Sequence, residues 1–146
     1  MTEISGVWLR DARPDDRVHL LLWDTANEAQ INLVALHNNA HLVNYRENLL
    51  QRISQDEKFL ALHHDLDREL AAIKSVCSRV NKPVVLLAGL DCLITYLQVH
   101  SGSHMTLFWK NLEQMRKMER LLWILLPHQL APKTWSEQRI KRIQSR

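Results

Sequence analysis

Apolar residues along this chain come in short unbroken runs, set between stretches in which they recur at helical spacing. Residues 17–23, "RVHLLLW", form such a run just after the turn-forming "RPDD". The run is too short for a core helix and reads as a strand buried on both faces. After a polar loop, Ile31, Leu33, Val34 and Leu36 predict a brief helix. It stops at Asn38 and Asn39, a residue type that favours the left-handed stop conformation. "AHLVNY" predicts a second, shorter strand. Residues 46–80 predict helix in two parts, with Leu66, Leu70, Ile73, Cys77 and Val80 on one face. Lys82 and Pro83 close it.

"PVVLLAGL" (residues 83–90) is the clearest central strand, because Pro is tolerated at a strand's first residue and branched residues follow without interruption. "TLFWKNLEQMRKMER" puts Phe108, Leu112 and Met115 on one helical face and charges on the other, and "LLWILLP" reads as another buried strand. "HSGSH" (residues 100–104) is the best candidate for a flexible loop. Strands alternating with helices, the strands nearly all apolar, predict an α/β fold: a small Rossmann-like parallel sheet of about four strands covered by helices.

Composition narrows the class. With 146 residues, 46% hydrophobic and 24% charged, the chain suits one single-core domain. No apolar run approaches the roughly 20 residues that cross a bilayer, and the first residues lack a secretory pattern, so a soluble cytoplasmic protein is expected. Cys77 and Cys92 form no CxxC pair and are expected to be buried thiols.

The net charge of +3 is unevenly spread. From Lys133 onward, Lys133, Arg139, Lys141, Arg142 and Arg146 face Glu137 alone, so the basicity belongs to the tail. We therefore divide the chain into a body, residues 1–132, and a basic C-terminal helix or tail, residues 133–146. With Ser136 as cap, Arg139, Arg142 and Arg146 would share one side of that helix and Ile140 and Ile143 another. Charge alone leaves three uses open: neutralising nucleic-acid phosphates, meeting an acidic protein, or facing solvent. Trp135 joins these cations as a candidate contact, as does Trp8, because tryptophan is enriched in binding hot spots. Trp23 and Trp123 lie in predicted strands and belong to the core.

The loop after the first strand has the layout of a phosphate-binding loop without its chemistry. Such a loop needs glycines to let backbone amides wrap phosphate, a lysine for the terminal phosphates and a hydroxyl for magnesium. "WDTANEAQINLV" has none of these in register, and the chain's three glycines are Gly6, Gly89 and Gly102. Asp24 and Glu28 would repel phosphate.

Other candidate chemistry is sparse. His37 with His41, His100 with His104, and "HHDLD" invite a metal reading. Zinc needs three or four convergent ligands, however, and Asn38 stands where HExxH has glutamate, so no metal site is expected. No nucleophile sits in an elbow such as GxSxG. Asp91, just past the apolar strand, is either a magnesium-holding carboxylate or, more ordinarily, a helix cap or loop residue.

The order "RVHLLLWDTANEAQINLVALHNNAHLVNYRENLLQRI", then "KPVVLLAGLDCLITYL" and "LLWILLP", resembles the BrxF family, small P-loop proteins of BREX phage-defence systems. The resemblance covers roughly residues 17–127 and rests on element order and apolar register. It implies a small P-loop-NTPase-like domain whose phosphate loop falls on Trp23, Asp24, Thr25 and the residues up to Ile31, with Gln30 near the expected lysine. Ala88 falls where the family's acidic residue ends the strand, and Asp91 falls near a second acidic position. Both nucleotide motifs depart from the pattern, so no nucleotide cofactor is expected. The function implied is a non-catalytic interaction subunit of a multi-protein, DNA-associated anti-phage system, with protein partners, DNA through the tail, and self-association left open. The alternatives are a divergent ATPase or switch using Asp91 and Thr25 with magnesium, or a simple DNA-binding accessory protein.

Overall fold

The computed structural model describes residue 9 and residues 18–24, 26–52, 66–100, 102–115 and 120–143. In chain order these form β1 (His19–Trp23), α1 (Glu28–His37), β2 (Ala40–Asn44), α2 (Tyr45–Arg52), α3 (Leu66–Arg79), β3 (Val84–Ala88), α4 (Asp91–His100), α5 (Gly102–Glu113), β4 (Leu121–Leu126) and β5 (Ile140–Ile143). The five strands make one sheet in the order β2-β3-β4-β1-β5, and every pairing is parallel. This is a Rossmann-like α/β architecture.

The sheet has five strands where the apolar runs predicted four, and the fifth comes from the tail. Residues 140–143, expected in a basic helix, instead pair with β1, Leu20 opposite Ile140 and Trp23 opposite Ile143. Ile140 and Ile143 point to opposite faces, packing against one core and lying in the other. Lys141 and Arg142 alternate between them, as charged residues do on an edge strand. A second difference is α4. "DCLITYLQVH" continues the helical layer, and the described residues of "HSGSH", expected in a loop, are helical: α4 runs to His100 and α5 begins at Gly102.

Parallel strands need crossovers, and crossovers are right-handed in nearly all sheets. The connection from β1 to β2 passes over β4 and β3 in one direction, whereas all later connections return in the other. They therefore cover opposite faces. Leu21, Trp23, Leu86, Trp123 and Leu125 pack with Val34 and Ala35 of α1 and with Leu9. Leu20, Leu22, Leu87, Ile124 and Leu126 pack beneath α2 to α5, and Trp135 of the β4–β5 connection joins this cluster. Alternate residues of each central strand thus serve different cores. The predicted stripe Leu66, Leu70, Ile73, Cys77 and Val80 is buried in the second. Cys92, in contrast, is exposed.

Local chemistry sets the boundaries. Asn39 has φ 50° and ends α1 as its residue type suggested, while the buried Asn38 side chain donates to the Val34 carbonyl and accepts from the Leu9 amide. Gly89 has φ 84°, and a Cβ there would lie 3.2 Å from Asn44 Oδ1, the atom that accepts the Glu47 amide at the start of α2. Glycine is what lets β3 end so close to that helix.

One charge is sealed inside. Glu69 lies on the buried face of α3 with its side chain fully covered, where it accepts hydrogen bonds from the Tyr45 hydroxyl and from both terminal nitrogens of Arg52, at 2.8 and 3.2 Å. Arg68 Nε adds a contact at 3.2 Å. Burial pushes the Glu69 carboxyl up, but the hydrogen bonds from Arg52 and Tyr45 prevail and hold it below the ordinary glutamate range. Burial, then the Glu69 carboxylate, raises the Tyr45 phenol, so it stays protonated as the donor.

Two outcomes follow from this pair. Glu69→Ala, which strands Arg52 and the Tyr45 hydroxyl, is expected to lower unfolding free energy by about 3 kcal/mol in urea titrations. The depressed folded pKa also fixes a sign: stability from the Glu69 charge is complete above the unfolded glutamate pKa of about 4.3 and is lost as pH falls through the lower folded value. Melting temperature should therefore drop more steeply below about pH 4.3 for the natural chain than for Glu69→Gln.

Candidate functional site

In open α/β sheets, ligands bind beyond the carboxyl ends of the strands, where neighbouring connections leave to opposite faces. Here that point lies between β1 and β4. The chain leaves β1 toward α1, and it leaves β4 toward the face of α2 to α5.

Four residues, 24–27, join β1 to α1. That is shorter than the six-residue span of G-x-x-x-x-G in a phosphate loop. The carboxylate of Asp24 reaches across to β4's end, where its Oδ1 accepts the His128 backbone N–H at 2.7 Å and lies 3.1 Å from His128 Nδ1. Those contacts, the backbone one foremost, hold the Asp24 carboxyl below its ordinary range. The mouth of the crevice is thus bridged by the protein's own charge.

The start of α1 is closed in the same way. A helix N-terminus attracts anions through its unpaired amides and positive dipole end. In α1 the Gln30 amide donates to Asn27 Oδ1 at 2.8 Å, and Gln30 Oε1 accepts the Asn27 amide at 3.2 Å. This reciprocal capping box uses two of the donors that a phosphate would need. Gln30, aligned with the expected lysine, is therefore a capping residue. Glu28 adds a carboxylate to the first turn.

The remaining candidates disperse. Trp23 is 3% exposed and packs in the core with Trp123, whose Nε1 donates to the Leu9 carbonyl at 3.0 Å. Thr25 lies outside the described residues. Asp91 is the exposed first residue of α4, beyond β3, with β4 between it and β1. His37 ends α1 and His41 lies in β2, so they share no helical face. Residues 63–65 lie outside the described residues. Among the described residues, no three His, Cys, Asp or Glu side chains converge as metal ligands.

The tail residues turn inward more than their charge suggested. Trp135, offered as a surface anchor, is 4% exposed and meets Trp109 edge-on at 5.8 Å. Arg139 donates to the Val18 carbonyl at 3.2 Å, lies 3.4 Å from Glu113, and sits 5.2 Å above the Trp135 ring. Arg142 makes a two-pronged pair with Glu137 at 2.7 and 2.9 Å. Lys141 approaches the Trp123 ring at 5.9 Å. Lys133 is exposed, whereas Arg146 and Trp8 fall outside the described residues.

Sequence reasoning missed His128 and the Glu69 network. Glu69 left a trace, interrupting the apolar stripe between Leu66 and Ile73, whereas His128 is marked only by its place just after a buried strand. Asp24→Ala should speed hydrogen exchange of the His128 amide several-fold by NMR, while Asp24→Asn, which keeps an acceptor, should not. Asn27→Ala should reduce stability by about 1 kcal/mol, measured by urea denaturation.

No protein-family model matches the chain, and no curated protein is similar to it at a significant level. Among the described residues, no helix is long and apolar enough to cross a membrane.

Proposed function

We propose that the chain is a non-catalytic interaction domain that works without nucleotide, a subunit within a larger protein assembly. The observation that carries this reading is the crevice between β1 and β4, bridged by Asp24 and His128 and flanked by a helix that caps itself. A nucleotide there would have to displace the hydrogen bond from the His128 backbone to Asp24, break a capping box and accept Asp24 and Glu28 as neighbours. Among the described residues, Asp24 is committed to His128, and Asp91 opens α4 with β4 between it and β1.

The resemblance to the BrxF family extends the proposal to a subunit of a multi-protein anti-phage system. Within it, the domain would dock proteins in preference to gripping duplex DNA, because Arg139 and Arg142 are engaged with Glu113 and Glu137. Phosphate binding would require those pairs to open.

The decisive measurement is thermal unfolding with Mg-ATP, Mg-ADP and Mg-GTP. A ligand at about one hundred times its Kd adds about 2.7 kcal/mol to stability, which shifts a chain of this size by several degrees. No shift is expected with any of the three. A shift of several degrees, abolished by chelating magnesium, would overturn the proposal in favour of a divergent ATPase or switch.

A further inference from the structure

A groove of about 510 Å³ lies between α5 and the connection from β4 to β5, beginning at Gln129, one residue past the crevice's His128. Its volume falls within the roughly 300–1,000 Å³ of ligand-binding pockets. Met105, Trp109, Leu130, Ala131 and Pro132 supply an apolar floor. Met105, Thr106, Trp109, Lys110, Glu113 and Gln114 recur at helical spacing, so the groove follows one face of α5. From Met105 to Gln114 that face is about 14 Å long, the reach of about four extended residues.

The rim has a definite sign. Lys110 and Lys133 stand on its two walls, one on the helix and one on the connection. The single carboxylate among the described lining residues, Glu113, lies 3.4 Å from Arg139 and so offers the groove little uncompensated negative charge. Gln98, Gln114 and Gln129 bring amides that both donate and accept, matching the groups of a peptide backbone.

We propose that this groove docks a short extended segment of a partner protein in which apolar side chains are flanked by aspartate or glutamate. The inference rests on the reading of the chain as an interaction domain and supplies the partner's chemistry. The apolar side chains cover Met105, Trp109 and Leu130, the acidic ones meet Lys110 and Lys133, and the glutamine amides bond the backbone. Apolar burial supplies affinity, while the two lysines select sign and hasten encounter.

The test is selection of phage-displayed random dodecapeptides on the full chain, followed by fluorescence titration of the winners as synthetic peptides. Trp109 in the wall and Trp135 behind it make intrinsic emission a reporter. The expected winners are acidic and apolar, perturb tryptophan emission, and lose about tenfold in affinity to the double variant K110E/K133E. Thr106→Trp, which fills the groove without changing its charge, should lose binding too, with both variants melting like the natural chain. If either variant fails to fold, Lys110→Gln with Lys133→Gln replaces it, with a smaller loss of the same sign. No enrichment, basic winners, or winners that bind every variant equally would overturn the proposal. So would occupancy by sodium dodecanoate with no peptide binding, or concentration-dependent self-association that competes with the winners. Nucleotide-induced stabilisation, the result that overturns the interaction-domain reading, is read separately and leaves the peptide titration interpretable.

Discussion

Everything in this fold depends on β1 being an interior strand whose neighbours, β4 and β5, are both distant in sequence. A parallel strand in that position must be buried on both faces, so "HLLLW" has no exposed residue. Its first connection must also leap two strands, and right-handed crossover sends α1, alone among the described helices, to one face. The unequal helical layers, the location of the crevice and the long return from β4 to β5 all follow from that one insertion.

The same constraint shapes both the β1–β4 crevice and the groove along α5. The β1–β4 crevice lies where the connections diverge, and its residues turn toward one another: Asp24 to His128, Asn27 to Gln30. The groove along α5 exists because residues 127–139 must travel over β1 to reach the sheet's edge. That path is fastened by Trp135 in the core and by Arg139, which reaches the Val18 carbonyl, Glu113 and the Trp135 face together. The tail's charge is therefore partly architectural. Arg139 holds a strand in place much as a disulfide would hold a loop, with the difference that its contacts are polar and adjustable.

The elements legible in the sequence were those whose apolar pattern has one interpretation. "VVLLA" and "LLWILL" are too short and too uniformly apolar to be surface helices, and the stripe from Leu66 to Val80 is long enough to fix its period. β5 was illegible for the opposite reason. In "IKRI" the two isoleucines stand three apart, which suits one helical face as well as two opposite faces of a strand, and only pairing with β1 decides between them. α4 was hidden because "DCLITYLQVH" follows β3 after a single turn, and its apolar residues blur into the strand's. For the crevice, the missing glycines were visible directly. The active closure was not, because Asp24 and His128 are brought together by strand order, which no local pattern encodes.

β1 also determines when this chain becomes a protein. Its partners are synthesised roughly a hundred residues later, and pairing across such separations is slow because loop closure precedes any reward. Until β4 emerges, Leu20, Leu21, Leu22 and Trp23 form an apolar strand with both edges unpaired, the kind of segment that seeks other chains. The half-sheet of β2 and β3, whose connection is shorter, gives β1 nothing to pair with, since β4 must stand between them. The vulnerable period of this molecule is thus written into its wiring: it is the wait of its first strand for the fourth.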